Sequence, residues 1–204
     1  AQKGGHTDKF VSVPGHASVS GEVTGTTVVV NPPTGALVDA LVITPDGEDN
    51  WVELEVPAKP EALSVPDILG KIREAGLVGM GGAAFPTHVK LSPPKDKKID
   101  TVILNGCECE PYVTSDHRLM LEYGEQILSG LNIIRKVLSP EVVYIAIEDN
   151  KEDAIAHMEE LVGALGYQDF KVAPLKSKYP MGAEKTLIEM ILGREVPIGG
   201  LPLD

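Results

Sequence analysis

The chain has little positive charge, few aromatic rings and almost no cysteine. Of its 204 residues, 18 are Lys or Arg and 30 are Asp or Glu, giving a formal net charge of −12. Nucleic acid calls for a basic footprint and anionic lipid for a polybasic surface, so neither is an expected partner. No run of 18 apolar residues occurs, so no direct membrane span is expected. The opening AQKGGHTDKF lacks the apolar stretch of a secretory signal. The two cysteines, Cys107 and Cys109, are two positions apart, too close for an ordinary stapling disulfide, and a reducing compartment is expected. Two thiolates cannot complete a zinc or iron–sulfur site, so no metal ligands are assigned. There is no Gly-Lys-Ser/Thr, which excludes a P-loop. Neither an internal repeat nor a low-complexity segment is present. The length suits one large or two small domains with a substantial core.

What the chain has is glycine in an unusual place. Gly76 to Lys90 reads GLVGMGGAAFPTHVK, with Gly79, Gly81 and Gly82 followed by Ala83, Ala84, Phe85 and Pro86. Without a Cβ the backbone can lie directly against a flat or anionic ligand. Successive free N–H groups attract phosphate or developing negative charge. Phe85-Pro86 stiffens the exit, and Lys90 can reach a phosphate as a point charge. Taken alone, such a stretch is most often a turn. Gly79-x-Gly81-x-x-Ala84 has dinucleotide-motif spacing, but that motif follows a strand, whereas Pro66 to Ala75 reads as a helix. The loop is expected to form one wall of a nucleotide or flavin pocket by some other geometry.

Residues 1–56 read as short strands joined by Gly and Pro turns, with strands expected at 26–31, 40–44 and 51–56. This stretch resembles the hairpins of lipoyl- and biotinyl-type barrels but has no lysine in the tight turn, so a carrier role is not expected. His16 has no nearby ligand partner and reads as structural. Residues 57–65 read as a linker, with Ser64 as N-cap of a helix that ends at Gly76. Beyond Lys98, strands and helices alternate. Strands are expected at 100–104, 142–147 and 170–173; helices are expected at 118–138, 152–165 and 183–192. Alternation of this kind implies an α/β layer with a largely parallel sheet.

Two further motifs fall at element ends. Asn105-Gly106-Cys107-Glu108-Cys109-Glu110 follows the strand 100–104, where open α/β sheets bind ligands. Its asparagine and carboxylates could hold ribose hydroxyls or a flavin edge, or simply cap a loop. Lys178-Tyr179-Pro180-Met181-Gly182-Ala183-Glu184 opens a helix; Tyr179 can stack on a ring, and Gly182 allows close approach at a phosphate-favouring N-terminus. The alternative is a plain capped helix start.

Together the blocks GLVGMGGAAFPTHVKL, ILNGCECEPYVTSDHRLM and KYPMGAEKTLIEMILGREVPIGGLP closely resemble the RnfC family of Rnf electron-transport complexes. More distantly they resemble the NADH-binding flavoprotein subunit of respiratory complex I. The resemblance covers essentially the whole chain. It implies a Rossmann-like, parallel-sheet FMN/NADH-binding α/β domain at 66–204, preceded by a small β-rich barrel-sandwich-like module at 1–56 and a linker at 57–65. Gly79, Gly81, Gly82, Ala83 and Phe85 would line FMN and the nicotinamide, with Lys90 nearby. Asn105, Glu108 and Glu110 would face FMN or the dinucleotide, and Tyr179, Gly182 and Glu184 would close the site. The family passes hydride from NADH to the flavin and single electrons on to iron–sulfur clusters, so no catalytic side chain is required. Partners would be NADH and the other subunits of a membrane-associated, ion-translocating complex at the cytoplasmic face. Glutamates near a ribose lean towards NAD over NADP.

Departures from the pattern bear on the dinucleotide contacts. Met80 stands where complex I has arginine, Ala84 where it has glycine and the RnfC form usually threonine, Cys107 where it has aspartate, and Ala183 where it has the first of two glutamates. Cys107 reads first as a small packed residue. The resemblance also implies a truncated fragment that lacks earlier strands, the C-terminal completion of the sheet and a ferredoxin-like domain with two 4Fe–4S clusters. Such a fragment is expected to be inactive by itself. Two alternatives stay open: a structural or interaction module without cofactor, and a cobalamin-reductase-like relative of RnfC.

Overall fold

The computed structural model describes residues 11–53, 59–80 and 83–204. It comprises two compact units, Ala1–Pro60 with Pro66–Lys90, and Glu61–Val65 with Leu91–Asp204.

The first unit is built on a β-hairpin. Strands β1 (Gly21–Val30) and β2 (Leu37–Pro45) run antiparallel, from Val30 opposite Leu37 to Gly21 opposite Pro45, with a bulge between Val23 and Gly25. The β-branched run Thr26 to Val30 favours the pleated backbone. The turn is closed by Asn31 N–H to Ala36 O at 2.8 Å, and Gly35 supplies a φ of +67°. No strand forms at Trp51–Glu53, and the rest of the strand expected at 51–56 lies outside the described residues.

Helix α1 (Val65–Glu74) starts directly after Ser64, with Pro66 and Asp67 in its first turn. It ends where Gly76 takes a φ of +70°. The His16 ring donates from Nε2 to Glu74 O at 2.9 Å, satisfying one of the carbonyls left open at a helix end. His16 is therefore structural, as its isolation in sequence suggests. The glycine loop follows and is pinned at its base. Val78 and Pro86 form a β-bridge, Gly79 N–H donates to Phe85 O at 2.9 Å, and Thr87 N–H to Leu77 O at 3.0 Å. The short helix α2 (Thr87–Lys90) closes it.

The second unit is an α/β layer, in agreement with the expected class. Strands β3 (Thr101–Gly106), β4 (Val142–Glu148) and β5 (Phe170–Leu175) are parallel in the order β3-β4-β5. Val142–Glu148 reads as a continuous apolar run because the central strand is covered on both faces. Val143, Ile145 and Ile147 are fully buried with Leu128, Leu131, Ala154, Met158 and Phe170. Ala146, pointing the other way, packs with Cys107, Met181 and Leu187.

Helices α3 (Ser115–Glu122), α4 (Gly124–Leu138), α5 (Glu152–Leu165) and α6 (Glu184–Leu192) connect or follow the strands. Gly166 and Gly193 close α5 and α6 in the left-handed conformation. The single helix expected at 118–138 is a correction: the chain breaks at Tyr123, with φ −131° and ψ 26°. The cause is tertiary. A Cβ at Gly124 would sit 2.5 Å from Leu161 Cδ1 and 3.3 Å from Met158 Sδ, so the chain turns where glycine lets α4 seat on α5. Among the described residues no helix is long and apolar enough to cross a membrane.

Candidate functional site

In the α/β unit the carboxyl ends of the three strands carry the loops of interest, the side on which open parallel sheets hold ligands. Asn105 lies at the end of β3, Glu148 at the end of β4, and the turn before α6 follows β5. A cleft of about 340 Å³ opens there, lined among others by Cys109, Glu110, Tyr112, His117, Lys151 and Ser177.

The second and third sequence motifs meet directly. Asn105 Nδ2 donates to Gly182 O at 2.9 Å, and Gly182 N–H donates to Cys109 Sγ at 3.4 Å. The Asn105 Oδ1 in turn accepts the Cys107 N–H at 3.1 Å.

The Glu108 carboxylate is engaged at the start of α3. Its Oε1 accepts from Ser115 Oγ at 3.0 Å and Asp116 N–H at 2.9 Å, and its Oε2 accepts from His117 N–H at 3.3 Å. Thr114, the N-cap of α3, makes no side-chain cap bond, so Glu108 caps the helix from upstream and meets the positive end of its dipole. Burial alone pushes the Glu108 carboxyl up. The Asp116 and His117 amides, the Ser115 hydroxyl and Lys151 outweigh it and hold the group below its ordinary range. Neighbouring Asp116 moves the opposite way: burial first and the Glu108 charge second raise it, against the pull of Lys151. Glu110 is exposed at the cleft.

Cys107 is buried, and its thiol is pushed up to about 12, chiefly by burial and then by the Glu148 charge. It is a protonated packing residue rather than a reactive thiolate.

One pair escaped the sequence reading. Lys151 Nζ lies 2.7 Å from Glu148 Oε2, and both side chains are almost wholly buried. Lys151 also donates to Asn150 Oδ1 at 3.2 Å, and Ser177 Oγ donates to Glu148 Oε1 at 3.4 Å. The pair thus ties the end of β4 to the loop after β5. The available signal was a glutamate placed directly after the apolar run VVYIAI, where a charge must find a partner. His117 and Asp153 form a second, more exposed pair at 2.8 Å, and that bond from His117 is the main cause holding the Asp153 carboxyl down.

Tyr179, Ala183 and Glu184 are exposed, and Ala183 caps α6 with no side-chain bond to the first-turn amides. In the first unit, Gly79, Ala83, Phe85 and Lys90 are exposed, and Ala84 adopts a left-handed φ of +48°. Gly81 and Gly82 lie outside the described residues.

Comparison with known proteins agrees with this architecture. Two crystal structures of NAD+-reducing [NiFe]-hydrogenase, in the H2-reduced and air-oxidized states, superpose with TM-scores of 0.53 and 0.54. Each is 24% identical and covers 64% of this chain and 24% of the other, a likeness of fold alone. Over nearly its full length the chain is similar to the C subunits of ion-translocating complexes. The C subunit of the proton-translocating ferredoxin:NAD(+) oxidoreductase complex of Clostridium ljungdahlii is 50% identical over 97% of this chain and 43% of the relative. The Na(+)-translocating counterpart of Acetobacterium woodii is 47% identical over 100% and 45%. The C subunit of the ion-translocating oxidoreductase complex of Pseudomonas aeruginosa is 42% identical over 97% and 25%. The chain spans less than half the length of these relatives. Residues 72–204 match the Nuo51 FMN-binding domain. The chain belongs to that family, in the branch represented by the RnfC-type subunits of ion-translocating oxidoreductase complexes.

Proposed function

We propose that the chain is the FMN- and NADH-handling segment of an RnfC-type subunit, working in a complex that exchanges electrons between NAD(H) and ferredoxin-like carriers. The observation that carries this reading is the family match over residues 72–204 together with 50% identity to the C subunit of a ferredoxin:NAD(+) oxidoreductase complex. When bound, FMN supplies the relay between a two-electron hydride donor and one-electron acceptors. On this reading residues 66–204 form the cofactor-handling domain. Residues 1–56 belong to a barrel-sandwich-like module joined through 57–65. The 4Fe–4S clusters and the other subunits lie beyond this segment, at the cytoplasmic face of a membrane.

The residues present suit such a ligand in kind. Tyr179 offers an exposed ring for stacking. Helix α6 begins without a side-chain cap, leaving first-turn N–H groups for a phosphate or carbonyl oxygen. Glu110 and Glu184 present exposed carboxylates suited to ribityl or ribose hydroxyls. Gly79, Gly81, Gly82, Ala83, Phe85 and Lys90 are assigned to cofactor binding, as are Asn105, Glu108 and Gly182. Glu108 acts there through its backbone and its hold on α3. NAD is preferred over NADP, because acids rather than arginines are assigned to the ribose.

Titrating the intact subunit with FMN tests the assignment. Saturable quenching of flavin fluorescence is expected, followed by anaerobic bleaching of the bound flavin when NADH is added. An intact subunit that leaves flavin emission untouched rules the reading out.

A further inference from the structure

Gly182 is held from both sides. Its carbonyl accepts from Asn105 Nδ2 at 2.9 Å, and its N–H donates to Cys109 Sγ at 3.4 Å. A Cβ at this position would fall far inside contact with the Cys107 carbonyl oxygen and 3.3 Å from the Cys109 sulfur, so only glycine fits the grip. Beside the grip, Met181 and Cys107 are buried against Ala146 and Leu187, so the turn is seated by apolar packing too. Around it the side chains turn outward: Tyr179 is 64% exposed, and Glu184 and Glu110 are exposed. The motif thus divides into residues that are gripped and residues that are presented.

We propose that Asn105 and Cys109 are positioning residues that clasp Gly182 and so fix the turn carrying Tyr179 and the start of α6 against the end of β3. Cys109 acts as a hydrogen-bond acceptor through sulfur. Asn105 is locked because one amide serves two loops, donating to Gly182 and accepting from Cys107. Sulfur is the weaker acceptor, so the Cys109 side is the half that yields first.

The consequence for FMN rests on the function proposed above; the clasp itself does not. Both are measured in the intact subunit. Cys109→Ala removes the acceptor, and Cys109→Ser keeps one. Hydrogen–deuterium exchange of the segment 178–184 in the absence of ligand is expected to quicken about fivefold in Cys109→Ala and to return to within about twofold in Cys109→Ser. Exchange in β4 and α5 should stay unchanged in both. FMN affinity, read by flavin quenching, is expected to fall about fivefold in Cys109→Ala and to recover in Cys109→Ser. Unaltered exchange in Cys109→Ala, or no recovery with serine, overturns the clasp. Faster exchange with unaltered FMN affinity overturns its role in presenting the turn. If the native subunit ignores FMN while the exchange pattern appears as expected, the cofactor reading fails and the clasp stands.

Discussion

The two sheets of this molecule use similar letters to different ends. In the hairpin, Val28 is 57% exposed and Leu37 71%, and every residue of β1 lies at the surface. In the α/β sheet, Val143, Ile145 and Ile147 are fully buried between helices. A two-stranded ribbon has no second layer of its own and is marginal by itself, whereas three parallel strands under helices make a core. The contrast shows that an apolar run announces a strand but not its burial. Burial depends on what the connections bring over each face.

The comparison can be broken most severely at Lys151. Lys151→Met leaves Glu148 buried without its ion-pair partner, and is expected to cost about 3–5 kcal/mol in urea unfolding. Adding Glu148→Leu should restore most of that loss, because the packed apolar pair no longer needs a counter-charge. Next comes Ile145→Ala, expected to cost about 2–5 kcal/mol by opening a cavity in the centre of β4. Gly124→Ala should cost less, about 1 kcal/mol, since the added methyl meets the movable tip of Leu161 where α4 meets α5.

Acid unfolding sharpens the same contrast. The folded Glu108 carboxyl titrates below its ordinary value of 4.5. Its ionised form therefore contributes stability that is present above that value and is lost as pH falls through the folded one. Glu108→Gln should lose stability at neutral pH, and the gap to the native chain should narrow below pH 4.5. A constant gap across that window counts against the capping role. The smallest effect belongs to the hairpin: Val28→Ala is expected to stay within about 0.5 kcal/mol. A loss as large as that of Ile145→Ala would erase the distinction between the sheets.

Much of this was legible in the letters. The run VVYIAI and the Gly166 stop gave β4 and α5 with their order, because period, propensity and cap all agreed locally. The three blocks carry the family resemblance in their letters alone. What stayed hidden depended on neighbours distant in sequence. The break at Tyr123 exists because Leu161 and Met158 lie against Gly124, and no helical pattern in 118–138 encodes that. The upstream capping of α3 by Glu108 spans seven residues of irregular loop, a distance no local motif describes. The Glu148–Lys151 pair crosses from strand end to helix start, a junction that neither a period of two nor one of 3.6 describes.

Met80 stands 94% exposed at the tip of the glycine loop. A thioether so open to water is readily converted by dilute peroxide to the sulfoxide, and the rate follows solvent access. The loop therefore carries its own footprinting probe. Mass spectrometry of that one oxygen adduct would register anything that settles over the glycines, whether or not it is coloured.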